Sequence, residues 1–384
     1  MHIHMHNIFR LKSELGEIYL NQVIQTFALA LIGVFIPIYL LKLGFSLPVV
    51  LGFLAVYFLA LGGLSPVAAR TASKIGLKHV ILYRLPALII YYILLMVAVT
   101  LSPSTLLAGL AILLIAFIGG ASDSFYWVSL NSEFVKNSKK LHAGEEVGNL
   151  LAFPKLAAVA APLLGAIVLE IAGFSALFIL AILLLLTSVA PLFITDDMKT
   201  IFSFRLKETW FRPRIKIEKK FMKDFLLRGF IFAAETVLWP LWIFLNFNNM
   251  IDVGLAATLS GVGMAVFTLG IGKASDRMNK IKLMKLSGIS YAAVWFLRVF
   301  ATNIMEMLIL SFLGGVLMAA VALTMFASFC DFARERNVLA DVVFREVWLN
   351  AARIILLLLL ILMAGSFEFA FALAGIISLA FLFV

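Results

Sequence analysis

Residues 196–228 read DDMKTIFSFRLKETWFRPRIKIEKKFMKDFLLR, and they hold ten of the chain's 31 lysines and arginines. Both flanks are almost continuously apolar. Cations this dense need water or lipid headgroups around them, whereas the flanks must leave water. The stretch is expected to be a basic linker on the cytoplasmic face, joining two membrane-embedded bundles. The predicted division is residues 1–195, a linker at 196–222, and residues 223–384.

Composition agrees with a membrane setting. The 384 residues are 63% hydrophobic and 14% charged, with mean hydropathy +1.08. That is more apolar surface than a soluble domain of this length can hide. The net charge of +10 does not point to nucleic acid, because the cations gather in short segments between apolar runs, as positive-inside topology requires. Cys330 is the single cysteine, so no internal disulfide forms, and no Cys/His spacing resembles a metal site. The first residues, MHIHMHNIFRLKSELGE, lack a signal-peptide core. His2, His4 and His6 could hold a metal loosely, but they read as a flexible tail.

Spanning a bilayer takes ~20 apolar residues. Uncharged runs, broken at turn signals, give twelve predicted spans: 17–41, 48–69, 78–101, 104–130, 146–171, 174–194, 223–247, 252–272, 281–301, 304–330, 340–364 and 366–384. Leu85 to Ser122 carries no charge over 38 residues, too long for one helix, and Ser102-Pro103-Ser104 supplies its turn. Ala172-Gly173-Phe174 and Ala364-Gly365-Ser366 divide two further runs in the same way. Arg70, Lys74 and Lys78 follow span 2, Lys136, Lys139 and Lys140 follow span 4, and five cations from Lys273 to Lys285 follow span 8. The alternate loops carry only Lys42, so both termini are expected on the cytoplasmic side of a cell membrane.

The two halves repeat. Val34-Phe35-Ile36-Pro37-Ile38-Tyr39-Leu40 matches Val237-Leu238-Trp239-Pro240-Leu241-Trp242-Ile243 class for class, and Gly119-Gly120 recurs as Gly314-Gly315. Two parallel six-helix halves suit a solute path at their interface.

The segment after span 8, Gly272-Lys273-Ala274-Ser275-Asp276-Arg277-Met278-Asn279-Lys280, resembles the loop motif of the major facilitator superfamily, Gly-x-Leu-Ala-Asp-Arg-x-Gly-Arg. In the first half, Arg70, Lys74 and Gly76 lie in a similar loop, with Ser73 where that family has aspartate. Ala161-Pro162-Leu163-Leu164-Gly165-Ala166 is similar to the family's antiporter motif Gly-Pro-x-x-Gly-Gly. Pro162 and the small residues around Gly165 equally suit close packing of a bent helix. The resemblance implies that spans 1, 4, 7 and 10 line a central path, that spans 2, 5, 8 and 11 join the halves, and that Asp276 braces helix ends in one gating state. The fold class expected is an all-α membrane protein of twelve helices in two pseudo-symmetric bundles.

An ionisable group at bilayer depth costs at least a few kcal/mol and needs a partner or a task. Asp123, Lys155, Glu235 and Arg353 are deep, whereas Arg84, Arg298 and Glu368 read as close enough to helix ends to reach the interface. Helical spacing puts Asp123, Tyr126, Trp127 and Leu130 on one face, and Glu235, Trp239, Trp242 and Asn246 on another. Acid beside aromatic rings suits a cationic or amphipathic solute or a proton site. Structural pairs, Glu235 with Arg353 or Asp123 with Lys155, account for the same residues. Asn21, Gln22 and Gln25 offer hydrogen bonds to a solute or between helices.

No Gly-x-x-x-x-Gly-Lys-Ser/Thr loop is present, and His79 and His142 lack a nucleophile or metal partner, so neither an ATP-driven pump nor an enzyme is expected, and no cofactor. The expectation is a secondary transporter of a small organic solute, working as a monomer by alternating access, coupled to protons and leaning towards efflux. An uncoupled facilitator of a sugar-like or amphipathic solute, and a receptor or scaffold on the same fold, are the alternatives.

Overall fold

A computed structural model describes residues 14–137, 156–193, 204, 216–275, 280–334 and 336–383, and among them there is no strand. The first half contains α1 (Glu14–Ile32), α2 (Ile36–Lys42), α3 (Leu47–Gly63), α4 (Ser65–Ile75), α5 (Leu77–Val97), α6 (Leu106–Asn137) and α7 (Ala161–Thr187). The second contains α8 (Lys216–Ala233), α9 (Trp239–Phe247), α10 (Met250–Ser275), α11 (Lys280–Val299), α12 (Ile304–Arg334), α13 (Val338–Leu362) and α14 (Phe367–Leu379).

Most expected breaks are present. Gly173 interrupts α7 at φ 76° and ψ −179°, where a residue with a Cβ would be strained. The chain reverses there: Tyr39 stacks on Phe174, 4.7 Å between ring centroids, while Asn21, five turns away at the other end of the first span, donates to the Ser188 carbonyl at 2.6 Å. Ala364 and Gly365, both at positive φ, turn the chain between α13 and α14. Several boundaries differ: α6 runs on to Asn137 where 130 was expected, and two others have a clear cause. The seventh span starts at Lys216 rather than 223, because Glu218 is buried against Arg336 instead of lying in water. Span 2 is bent by 41° between α3 and α4, where Ser65-Pro66 opens a new helix.

Among the described residues, seven helices can cross a membrane by length and apolarity, or eight with the bent α3–α4 pair. Charged residues keep α11 and α13 below that standard, and both carry the charged centres described below. The molecule's outside is apolar. Leu106, Leu110, Leu114 and Phe117 all point outward, three and four residues apart on one face of α6, a stripe that fits lipid and not water.

The repeat is three-dimensional. A 3-10 turn, Gly33–Phe35, precedes Pro37 at the start of α2, and a π turn, Ala234–Leu238, precedes Pro240 at the start of α9. Proline lacks the N–H that continues a helix, so each half breaks its first span at the same place. A Cβ on Gly120 would strike the Tyr57 carbonyl of α3, and one on Gly315 would strike the Ser260 carbonyl of α10. Each half thus seats its fourth span on the backbone of its second through a glycine.

The halves join along two symmetric seams. α13 lies on α3, where Gly62 faces Asn350, and α10 lies on α7, where a Cβ on Gly254 would come within 2.9 Å of the Pro162 carbonyl and 2.7 Å of Ala166. At the end that carries Arg70 and Lys74, here called the basic end, Ala68, Ala72, Val128 and Phe134 cluster with Phe326, Phe329, Val342 and Val343 of the other half. The Phe134 and Phe326 rings meet edge to face at 5.1 Å. At the opposite end the Lys42 ammonium lies 6.0 Å from the Phe244 ring.

Gly120→Ala and Gly315→Ala should each lower the thermal unfolding midpoint of the detergent-purified protein, since overpacking costs ~1–3 kcal/mol. Gly109→Ala, which meets open space, should leave it unchanged or raise it; an equal loss in all three would contradict this account.

Candidate functional site

Each half encloses one acid held by one arginine. In the first, Arg84 of α5 donates through Nη1 to Asp123 Oδ1 at 2.8 Å and through Nη2 to Gln25 Oε1 at 2.6 Å. The Tyr57 hydroxyl donates to Asp123 Oδ2, and the Tyr126 ring lies 3.9 Å from the guanidinium. In the second, Arg298 of α11 grips Glu235 with both nitrogens, at 2.6 and 2.8 Å, and donates also to the Leu310 carbonyl at 3.0 Å. Tyr291 donates to Glu235 at 2.7 Å. Trp239 and Trp295 both lie 4.3 Å from the guanidinium.

These partners correct the sequence expectation. Arg84 and Arg298 do not reach the interface; they are 2% and 0% exposed. A helical Cα–Cβ bond tilts towards the helix N-terminus, so Arg298, at the C-terminal end of α11, is aimed back into the bundle. Its guanidinium faces Gly314, where any Cβ would meet it. The pairings expected from sequence, Glu235 with Arg353 and Asp123 with Lys155, are replaced; Lys155 lies outside the described residues.

The other expected site residues divide. Asn21 donates to Ser188 and Gln25 accepts from Arg84, so both are used between helices. Trp239 donates to Ser311 at 2.8 Å and stacks on Trp242 at 5.4 Å, with Phe371 of α14 closing the group. These tryptophans are core. Tyr126 is buried with its hydroxyl unpartnered, while Trp127 is 38% exposed. Pro162 starts α7 and Gly165 sits against the Leu31 carbonyl of α1, which is a packing role. Arg70 and Lys74 are exposed, Ser73 donates to its own helix at Arg70, and Gly76 ends α4 at φ 92°. Gly272 lies in α10; Asp276 and Arg277 lie outside the described residues.

A third charged group straddles the α3–α13 seam. Glu346 pairs with its neighbour Arg345 and accepts from Asn131 of α6 at 3.2 Å. Arg353 donates to Asn350 at 2.9 Å and lies 5.1 Å from the Phe58 ring of α3 and 4.6 Å from Phe232 of α8. Helical spacing along α13 puts Glu346, Asn350 and Arg353 on one face. It gives no sign of Arg345, Tyr57 or Tyr291, because contacts between spans are not periodic. Among the described residues no group of His, Cys, Asp and Glu could hold a metal.

Residues 225–384 match the sequence profile of the Major Facilitator Superfamily. Over that second half the chain is similar to members of the superfamily. The whole chain shares its fold with two solved proteins. One is the human organic anion transporter MFSD10 (TETRAN), 13% identical, with 96% of this chain and 97% of that chain covered and a TM-score of 0.67. The other is a bacterial homologue of the iron transporter ferroportin in an outward-facing state, 15% identical, with 97% of each chain covered and a TM-score of 0.64. None of the curated proteins matches the sequence. The fold is therefore the two-bundle major facilitator fold, as the loop motif and the repeat implied.

Removing one member of a buried pair strands the other charge and costs ~3–5 kcal/mol. Arg298→Gln and Glu235→Gln should each sharply lower the unfolding midpoint, and the double variant should lose clearly less than the sum of the two. Strict additivity would mean the pair is not coupled.

Proposed function

We propose that this protein is a secondary transporter that carries a small organic solute across a cell membrane by rocking its halves, approximately residues 1–195 and 223–384, about the two seams. The observation that carries this reading is where the internal bonds lie. The strong ion pairs Arg84–Asp123 and Arg298–Glu235 each stay within one half, so each half can move as a body. Between the halves the contacts are small residues, rings and, among the described residues, hydrogen bonds such as those from Asn131 to Glu346 and from the Leu163 N–H to Thr258 Oγ1, which are cheap to exchange for solvent or solute. Of the two solved proteins that share the fold, one is an organic anion transporter and the other a homologue of an iron transporter, which supports transport as the activity.

Asp123 and Glu235 were the expected proton sites. Their geometry favours a bracing role instead, since each carboxylate is held by a guanidinium and a tyrosine hydroxyl of its own half. Both acids accordingly serve the structure of their own half in this carrier. In this reading the basic end lies in the cytoplasm, which its cations support, and the chain acts singly in the bilayer. Pro162 and Gly165 support close packing rather than a direction of transport.

Rocking requires the basic end to part. In a Cys330→Ala background, cysteines at Phe134 and Phe326, whose rings now meet at 5.1 Å, should be bridged by a short bis-methanethiosulfonate and stop solute flux in proteoliposomes, with recovery on reduction. Undiminished flux through the cross-linked protein would refute rocking at this end.

A further inference from the structure

The acids that drew attention in the sequence are neutralised, whereas the arginines at the seam are not. Arg345 and Arg353 of α13 and Arg228 of α8 lie within electrostatic reach of one another and of Glu346. Asp123 is also within reach of Arg353 but is already held by Arg84, which leaves three guanidiniums and one carboxylate among the described residues. Glu346 is already engaged by Arg345 and Asn131. Arg228 has no carboxylate partner among the described residues, and it lines a small cavity with Phe232, Tyr291, Met318 and Val321. The Nε atoms of Arg345 and Arg353 are buried without a hydrogen-bond partner.

Aromatic contacts do not balance this group. Arg353 has Phe58 and Phe232 at 5.1 and 4.6 Å, and Arg345 has Phe326 and Phe329 at 5.3 and 5.9 Å. Such contacts return ~0.5–2 kcal/mol each, whereas taking a charged group out of water costs several kcal/mol. Arginine also presents a planar fork of donors that fits carboxylate and phosphate oxygens. Phenyl rings from both halves, Phe58 and Phe232, stand beside these forks, so a ligand there would touch apolar surface as well as charge.

We propose that Arg228, Arg345 and Arg353 form, at the seam between the halves, the binding site for a small organic anion with an apolar or aromatic body. The site deepens the carrier reading and rests on it for the movement of the anion, though not for its binding. The cavity beside Arg228 is walled by the second half alone and is about the size of one water molecule, so it does not itself hold the anion, which enters between Arg228, Arg345 and Arg353 when the halves part. Its charge supplies the counter-ion that Arg228 and Arg353 lack, Arg345 being paired with Glu346, and it allows the three to close again in a low-dielectric seam.

The test uses the full chain in nanodiscs of neutral phosphatidylcholine at low ionic strength, reading the unfolding midpoint against four probes of similar size: benzoate, phenyl phosphate, benzylamine and benzyl alcohol. Benzoate or phenyl phosphate should raise the midpoint saturably, while benzylamine and benzyl alcohol should not. Arg228→Gln and Arg353→Gln should weaken the anion at least ~10-fold, the loss of one hydrogen bond to a charged group, and Arg228→Lys should recover part of it. No shift with either anion, an equal shift with benzylamine, or unchanged affinity in a folded Arg228→Gln would overturn the proposal. Stabilisation by phosphatidylglycerol in the disc, with none by the free anions, would overturn the assignment to a solute and give the site to a lipid headgroup. Binding of the anion without flux in proteoliposomes would sink the carrier reading while leaving the site in place.

Discussion

A charge inside a membrane bundle must meet an opposite charge or a dipole, and the arrangement of this protein follows from how that constraint is met. Arg84–Asp123 and Arg298–Glu235 meet it within a half, each with further hydrogen bonds from tyrosine, glutamine or backbone. Such pairs are weak contributors to net stability but costly to break, so they act as internal pins. What they hold fixed is a bundle of spans; what they leave free is the boundary between bundles.

That boundary is made differently. Gly62 and Gly254 bring backbones close on the two seams, and Phe134 meets Phe326 at the basic end. The contacts depend on shape and not on ion pairing, so little is lost when they part on one side and close on the other. Arg228, Arg345 and Arg353 sit where this boundary passes Glu346. The same constraint that pins the halves is incompletely met there, which is the physical reason for assigning an anionic ligand to that place.

Much of the fold was legible in the sequence because it rests on local signals. Gly173, Ala364-Gly365 and the Ser-Pro-Ser at 102–104 are backbone signals that need no tertiary context. Pro37 and Pro240 announced the repeat, and the structure breaks a helix just before each. The candidate site was less legible. Asp123 and Glu235 could be named as buried acids, but their partners sit 39 and 63 residues away in sequence, and no periodicity links them. Arg298 was read as interfacial from its distance to a helix end, when the tilt of its Cα–Cβ bond sends it inward. Trp239 and Trp242 were put beside a solute on the strength of a shared face, but that face packs on Phe371.

The central claim is that two pinned halves move against each other. It is tested most directly by spin-label distances in lipid nanodiscs, comparing a pair within one half, Lys74 with Leu183, to a pair across the halves, Lys74 with Lys219. All three positions are exposed. The account predicts one narrow distance within the half and two populations across it, with the across-half ratio alone shifting when a transported solute is added. A single narrow distance across the halves, or a broad one within the half, would contradict it.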